Sequence, residues 1–222
     1  MAHDVAFNLT PKPINTLVPR ATAISLARSI VTDLSKHWKR GKTYTIKQIV
    51  ITTFARTLYG EKWFSRVSVH EEPYEWFKQG ICDDHTENEL DYIPLFRGFT
   101  EIDAGDSGWR GINARYAFPG PLSVREMPEW VLAVEPDPTI REFFVISVPA
   151  DYPISKNSVK GRYTSIEYVR ELPDGKVEWT MAQTSDAGGW IPKWILNMNI
   201  EGTISEDVPH FIDWAKHRFA RQ

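Results

Sequence analysis

The sequence predicts an α+β fold built on an antiparallel sheet, and three observations carry that prediction. Between about residues 108 and 184 the apolar residues follow a period of two in five successive segments. Leu172-Pro173-Asp174-Gly175-Lys176 is a hairpin turn between the last two of them. Amphipathic helical patterns stand at both ends of the chain.

In chain order, residues 1–20 carry three prolines and no periodicity, and they read as an extended arm ahead of a single domain over 21–222. From about Thr22, the residues Ile24, Ala27, Val31, Leu34 and Trp38 recur at threes and fours, one face of a helix. Lys36, Lys39 and Arg40 complement its C-terminal dipole, and Gly41 stops it. Residues 43–54 are β-branched and read as a strand. Trp63 to His70 reads as a second, with Trp63, Ser65, Val67 and Val69 on one face and Phe64, Arg66, Ser68 and His70 on the other. Pro73 opens a helix to about Tyr92, with Tyr74, Phe77, Ile81 and His85 along one stripe. Its acids Asp83, Asp84, Glu87 and Asp91 read as a solvated face. The five strands occupy 108–118, 127–135, 141–149, 160–170 and 175–184. A short helical piece then starts at Ile191-Pro192, and a last helix runs from Asp207 to about Phe219, with Val208, Phe211, Ile212, Ala215 and Phe219 as its apolar face.

Composition excludes several function classes. Twenty-six Lys and Arg against 29 Asp and Glu leave a net charge of −3, so no basic field exists for nucleic acid. One cysteine, Cys82, excludes an intrachain disulfide and a thiolate cluster. No apolar run approaches the roughly 20 residues of a membrane span, and the first residues lack a secretory pattern, so a cytoplasmic protein with no stable membrane anchor is expected. Oligomeric state is left open. Nine Trp, eight Tyr and eleven Phe suit either a heavily stapled core or a cavity for an apolar guest.

The segment WTMAQTSDAGGWIPKW (residues 179–194) resembles the strand-to-helix junction of START-type lipid-binding domains, where a Gly pair and a Pro launch the C-terminal helix across the sheet. PGPLSVRE (residues 119–126) resembles the turn before a central strand in that superfamily, whose usual Arg-Asp-Phe is here Arg125-Glu126-Met127. Three features resemble a group of fungal START-like proteins: Trp63…Arg66-x-Ser68-x-His70, the helix Phe77…Asp84-His85…Glu89…Tyr92, and Ser185…Gly188-Gly189…Pro192. The resemblance covers about residues 43–219. It implies a helix-grip (START-like, Bet v1-like) fold, a curved antiparallel sheet around the C-terminal helix with an apolar cavity between them. One departure is expected, a break of the closing helix over Asn199–Ser205.

The search for reaction chemistry is mostly negative. There is no Gly-rich phosphate loop, no G-x-S-x-G elbow, no His-Glu-x-x-His and no Cys/His ligand spacing, so neither a metal nor an organic cofactor is expected. Polar groups on strands are the catalytic candidates: His70, whose ordinary pKa of about 6.5 suits proton transfer, Tyr163 for its hydroxyl, and Arg115 as a buried cation. Whether Arg66 and His70 face the cavity, or Trp63 and Val67 do, is left open by the alternation. His85 reads as a packing residue and Cys82 has no activating partner. Trp179 and Met181 are expected on the cavity wall, Trp190 and Trp194 near its mouth, and Trp130, Phe144 and Tyr116 as further ligand-binding residues.

Two functional readings follow. In one the chain is a non-catalytic lipid or sterol binding and transfer module. In the other, which the aromatic excess favours, it is a cofactor-independent cyclase, isomerase or pericyclic catalyst of fungal secondary metabolism that folds a polyketide, terpenoid or similar molecule in its cavity.

Overall fold

The computed structural model describes residues 6–117, 124–189 and 200–220. Its strands are β1 (Lys39–Ile46), β2 (Ile49–Leu58), β3 (Glu61–His70), β4 (Phe96–Ile102), β5 (Arg110–Tyr116), β6 (Arg125–Val134), β7 (Glu142–Pro149), β8 (Val159–Lys160), β9 (Arg162–Glu171) and β10 (Val177–Asp186). They form one curved sheet in the order β1-β2-β3-β10-β9-β7-β6-β5-β4, antiparallel throughout, with the two-residue β8 parallel to β6. The helices are α1 (Arg20–Val31), α2 (Leu34–His37), α3 (Tyr74–Phe77), α4 (His85–Tyr92) and a C-terminal helix (Ile200–Phe219).

Both faces of the sheet are covered. On the inner face Val208, Phe211, Ile212 and Ala215 of the C-terminal helix pack against Phe77, Ile81, Val131, Phe143, Val169 and Trp179. On the outer face Ala23, Ala27, Ile30 and Val31 of α1 pack against Trp63, Trp130, Phe144, Ile146, Ile166 and Ala182. Strands with two buried faces lose their polar row, and every residue of β7 is accordingly buried.

Several elements differ from the expectation. The strand placed at 43–54 is a hairpin, because Lys47 and Gln48 take positive φ (49° and 69°) and turn the chain between β1 and β2. The first helix stops at Val31, and a left-handed Asp33 restarts the chain as α2. The helix placed at Pro73–Tyr92 is α3, a π-helical turn over Lys78–Cys82 and α4, with Asp84 left-handed at φ 48°. That irregular stretch brings Gly80 against the C-terminal helix, where a Cβ would stand 2.5 Å from Phe211 Cε2. Strand β4 was not foreseen. The expected break at Asn199–Ser205 is absent over the described part, since the C-terminal helix runs through Gly202 to Phe219.

The Gly pair behaves as its chemistry requires. Gly188 and Gly189 have φ of 64° and 71°, and a Cβ on Gly188 would meet Lys160 O at 2.2 Å. The described part of the arm is packed rather than free. Phe7 and Leu9 are buried, Lys12 N–H donates to Pro149 O (2.9 Å), and Lys12 O accepts from Asp151 N–H (3.0 Å) and from Trp130 Nε1 (2.7 Å).

Candidate ligand-binding site

Opposite the C-terminal helix, the inner face carries an unusual density of polar groups. β3 contributes Arg66, Ser68 and His70, and β9 contributes Tyr163, Ser165 and Glu167. β6 brings Glu129, β5 Tyr116, α4 His85, Glu89 and Tyr92, and the C-terminal helix Asp207.

Arg66 is 1% exposed and lies with its guanidinium carbon 3.9 Å from the Trp179 ring centroid. Its Nη2 is 3.9 Å from Glu167 Oε1, while its Nε and Nη1 have no hydrogen-bond partner. Glu167 in turn accepts from the Trp179 indole N–H. His85 donates from Nδ1 to Ile81 O (2.8 Å) when neutral, which leaves Nε2 bare and 3.6 Å from Glu89 Oε2.

Desolvation dominates the electrostatics of this cluster. Burial pushes the Glu89 carboxyl up to about 8 and Asp207 up to about 7, raises Glu167, and holds Glu129 well above the usual carboxylate range. Burial likewise lowers His85 and raises the phenols of Tyr92, Tyr116 and Tyr163. These groups are deeply enclosed, yet part of each stays exposed: 14% of the Glu167 side chain, 23% of Glu89 and 12% of His85. Enclosure together with this residual exposure places these groups along the seam between sheet and C-terminal helix. A surface groove of about 670 Å³ beside α1 and α2 lies across the sheet, lined by outer-face residues such as Val67 and Tyr168.

The sequence profile of a family described as a protein of unknown function, DUF3074, matches residues 63–215, which contain every member of this polar cluster. The chain belongs to the DUF3074 family. Within known proteins, this DUF3074 chain is 26% identical over 173 residues to an uncharacterised protein of Schizosaccharomyces pombe, covering 73% of this chain and 72% of that one. Among solved structures it resembles human STARD10 with a TM-score of 0.75, at 13% identity over 92% of this chain and 85% of that one. It resembles human StAR-related lipid transfer protein 5 with a TM-score of 0.69, at 11% identity over 89% and 98%. A STAR-related lipid transfer protein of Xanthomonas axonopodis gives 0.64, at 17% identity over 81% and 98%. The DUF3074 fold is therefore the START helix-grip fold.

In this DUF3074 chain the expected site residues separate by face. Trp179 (3% exposed) and Met181 (2%) are on the inner face, Met181 against Phe64 and Ile204 of the C-terminal helix. Tyr163 and Tyr116 belong to the polar cluster. Three others require correction. Trp130 and Phe144 lie in the outer core, Phe144 stacked on Tyr168 at 4.5 Å. Arg115 is an exposed outer-face cation 4.0 Å from Glu126. All three sit one residue out of phase with the inner row of their strands; on β6 and β7 both rows are largely apolar, so the alternation did not reveal it, whereas on β5 Arg115 shares the outer row with Gly111 and Asn113, opposite Ile112, Ala114 and Tyr116.

His70 does face inward, but burial pushes its pKa down to about 4. It is therefore neutral at neutral pH, bonded to Ser68 Oγ at 2.8 Å and packed 5.2 Å from Phe77, and the near-neutral titration on which its selection rested is gone. Trp190 and Trp194 lie outside the described residues.

Glu89, Glu129, Glu167, Asp207 and Arg66 were not singled out as functional. For Arg66, His85, Glu89 and Tyr92 a signal existed, since all four stand in the motifs that carry the fungal resemblance.

Proposed function

We propose that this protein encloses one largely apolar small molecule between the inner face of its sheet and the C-terminal helix, and that it binds or carries that molecule. The observation behind this reading is the enclosed polar row between sheet and C-terminal helix, where Glu167, Glu89 and His85 are surrounded by both layers yet keep part of their side-chain surface exposed, next to the packed rings of Phe77, Trp179 and Phe211. Lipid transfer in the names of two structural neighbours adds support at the level of fold analogy. The test is native purification followed by organic extraction and mass spectrometry, with binding of the dye 1-anilinonaphthalene-8-sulfonate as a second measurement. A stoichiometric apolar molecule, or dye uptake that such a molecule displaces, is expected. Protein that carries no such molecule and takes up no dye overturns the reading.

One observation favours a second reading, a cofactor-independent isomerase or cyclase. Glu89 is a carboxylic acid at neutral pH and faces the bare Nε2 of His85, and an acid held neutral by burial is suited to protonating a bound substrate. Under this reading Glu89→Gln protein retains an isomer or precursor of the molecule found on the wild type. The same molecule on both proteins refutes catalysis by Glu89.

A further inference from the structure

We propose that the groove at the corner of the sheet where β1 begins, lined by Lys39, Arg40, Arg56 and Lys62, binds a cluster of phosphate groups, so that the protein recognises a polyphosphorylated molecule at its surface. The inference does not depend on the enclosed-ligand reading.

Strand register brings the four cations together. Lys39 pairs with Ala55 and Lys62 with Thr57, on the face where Ala55 and Phe64 pack beside Ile204 of the C-terminal helix. Arg40 pairs with Phe54 and Arg56 with Trp63, on the opposite face, where both aromatic partners join the outer core. The β2–β3 hairpin runs on past the start of β1, since Arg56, Thr57 and Leu58 pair with β3 alone. Two cations from each face therefore converge round the end of an edge strand, and they line one groove of about 630 Å³. A bulge between Arg40 and Thr43 takes Gly41 and Lys42 off the ladder, a device that re-aims side chains at a sheet edge.

Charge imbalance is the second observation. All four side chains are exposed, and among the described residues none of them forms an ion pair with a carboxylate. Arg40 has only Thr43 Oγ1, at 3.4 Å, and the Lys62 ammonium stands 4.8 Å from the Phe64 ring centroid. The one acid on the groove is Glu201, near the start of the C-terminal helix. Gly41 admits it, because a Cβ there would stand 2.7 Å from Glu201 Oε1. Four positive charges thus face a single negative one, in a chain whose net charge is −3. Other exposed cations are matched: Arg110 lies between Glu87 and Glu101, Arg141 between Glu75 and Glu171, and Lys176 against Glu71. Gathering like charges without counter-charges costs stability through repulsion, which a bound polyanion relieves.

The donor chemistry selects phosphate. Two guanidinium forks match phosphate oxygens in bidentate pairs, and two ammonium groups add point charges. A single carboxylate would neutralise one excess charge and leave the others in repulsion. Nucleic acid would extend beyond the groove onto a chain of net negative charge.

The experiment measures binding of inositol hexakisphosphate to the full chain by calorimetry at about 0.15 M salt, where long-range surface attraction is screened. Binding is expected, and the double variants R40Q/R56Q and K39Q/K62Q should each weaken it at least about 10-fold. E201Q should tighten it. K176Q, which alters a matched cation beyond the opposite end of β3, should change nothing. The wild type gives a measurement that needs no variant to fold: inositol hexakisphosphate should raise its unfolding temperature more than sulfate at equal ionic strength. Vesicles of phosphatidylcholine carrying a phosphatidylinositol bisphosphate then identify the source of the phosphates. Cosedimentation that inositol hexakisphosphate reverses assigns the groove to a lipid headgroup, and binding of inositol hexakisphosphate without cosedimentation assigns it to a soluble polyphosphate. Three results each overturn the proposal: no binding of either phosphate probe, an affinity unchanged in both double variants, or phosphatidylserine vesicles of equal charge that bind as tightly as the phosphoinositide vesicles.

Discussion

The guanidinium of Arg66 is stacked 3.9 Å from the centroid of the Trp179 ring, and the indole N–H of that ring donates to Glu167, the partner of Arg66. A buried cation is thus held between an aromatic face and a carboxyl that the same indole orients. The ring also meets Phe77 and Phe211 edge-on, at 6.0 and 5.2 Å, so it joins the sheet, the π-helical turn region and the C-terminal helix.

Trp179→Ala should consequently destabilise the fold by ~3–5 kcal/mol, the range for emptying a large buried aromatic. Trp179→Phe keeps a ring under Arg66 and loses the indole donor, which should cost only about 1–3 kcal/mol. Urea unfolding of the two variants measures both. An Ala variant within about 1 kcal/mol of the wild type would mean that the inner face is not packed as described.

Stability should fall as pH rises through the neutral range. The folded-state pKa values of Glu89 (about 8) and Asp207 (about 7) lie above those of an unfolded chain, so the native state binds more protons and its stability declines between about pH 4 and pH 8. Each group contributes a slope of at most about 1.4 kcal/mol per pH unit. His70, lowered to about 4, acts in the opposite sense, and its contribution is present above about pH 6.5 and lost toward pH 4. Glu89→Gln should flatten the decline between pH 6.5 and 8. An unchanged slope in chemical denaturation would show that Glu89 is not held protonated.

Gly188→Ala and Gly175→Ala separate steric from conformational effects. Both glycines have positive φ, 64° and 82°, but a Cβ at 188 strikes Lys160 O at 2.2 Å, whereas at 175 nothing lies within 4 Å. The first variant should lose at least about 2 kcal/mol, and the second about 1 kcal/mol, the backbone penalty alone. Equal losses in thermal unfolding would remove the argument that Gly188 permits the approach to β8.

Trp130→Phe tests the corrected position of Trp130. It removes the hydrogen bond to Lys12 O that fastens the N-terminal segment to the outer face. A loss of ~1–3 kcal/mol in stability with unchanged ligand affinity is expected. A change in affinity at unchanged stability would put Trp130 in the site after all.

A good part of the architecture was readable from residues alone. Period-two alternation identified β5, β6, β7, β9 and β10, the Gly188-Gly189 pair marked a positive-φ junction, and Trp179 and Met181 were placed together on one inner-facing row. Where a turn used Lys47 and Gln48 in place of Asn-Gly, the β1–β2 hairpin read as one strand, because those residues rarely take positive φ. The helix over Pro73–Tyr92 kept its apolar stripe in sequence, but the π-turn over Lys78–Cys82 and the left-handed Asp84 interrupt it.

The sequence by itself determined most of the strands and the C-terminal helix, that the sheet is antiparallel, and which residues share a row of each recognised strand. Local physics sets these: hydrophobic period, turn chemistry and steric limits on φ act within a few residues. Apart from β10, where Trp179 and Met181 alternate with Glu178 and Thr180, only the tertiary structure decided which row faces the C-terminal helix and which faces α1, because a sheet buried on both sides presents two largely apolar rows. It alone also decided that Glu89, Glu129, Glu167 and Asp207 lie on the inner side of the sheet with Arg66. A carboxylate in a sequence reads as a solvated charge, and desolvation is a property of everything packed around it, supplied here by four separate elements.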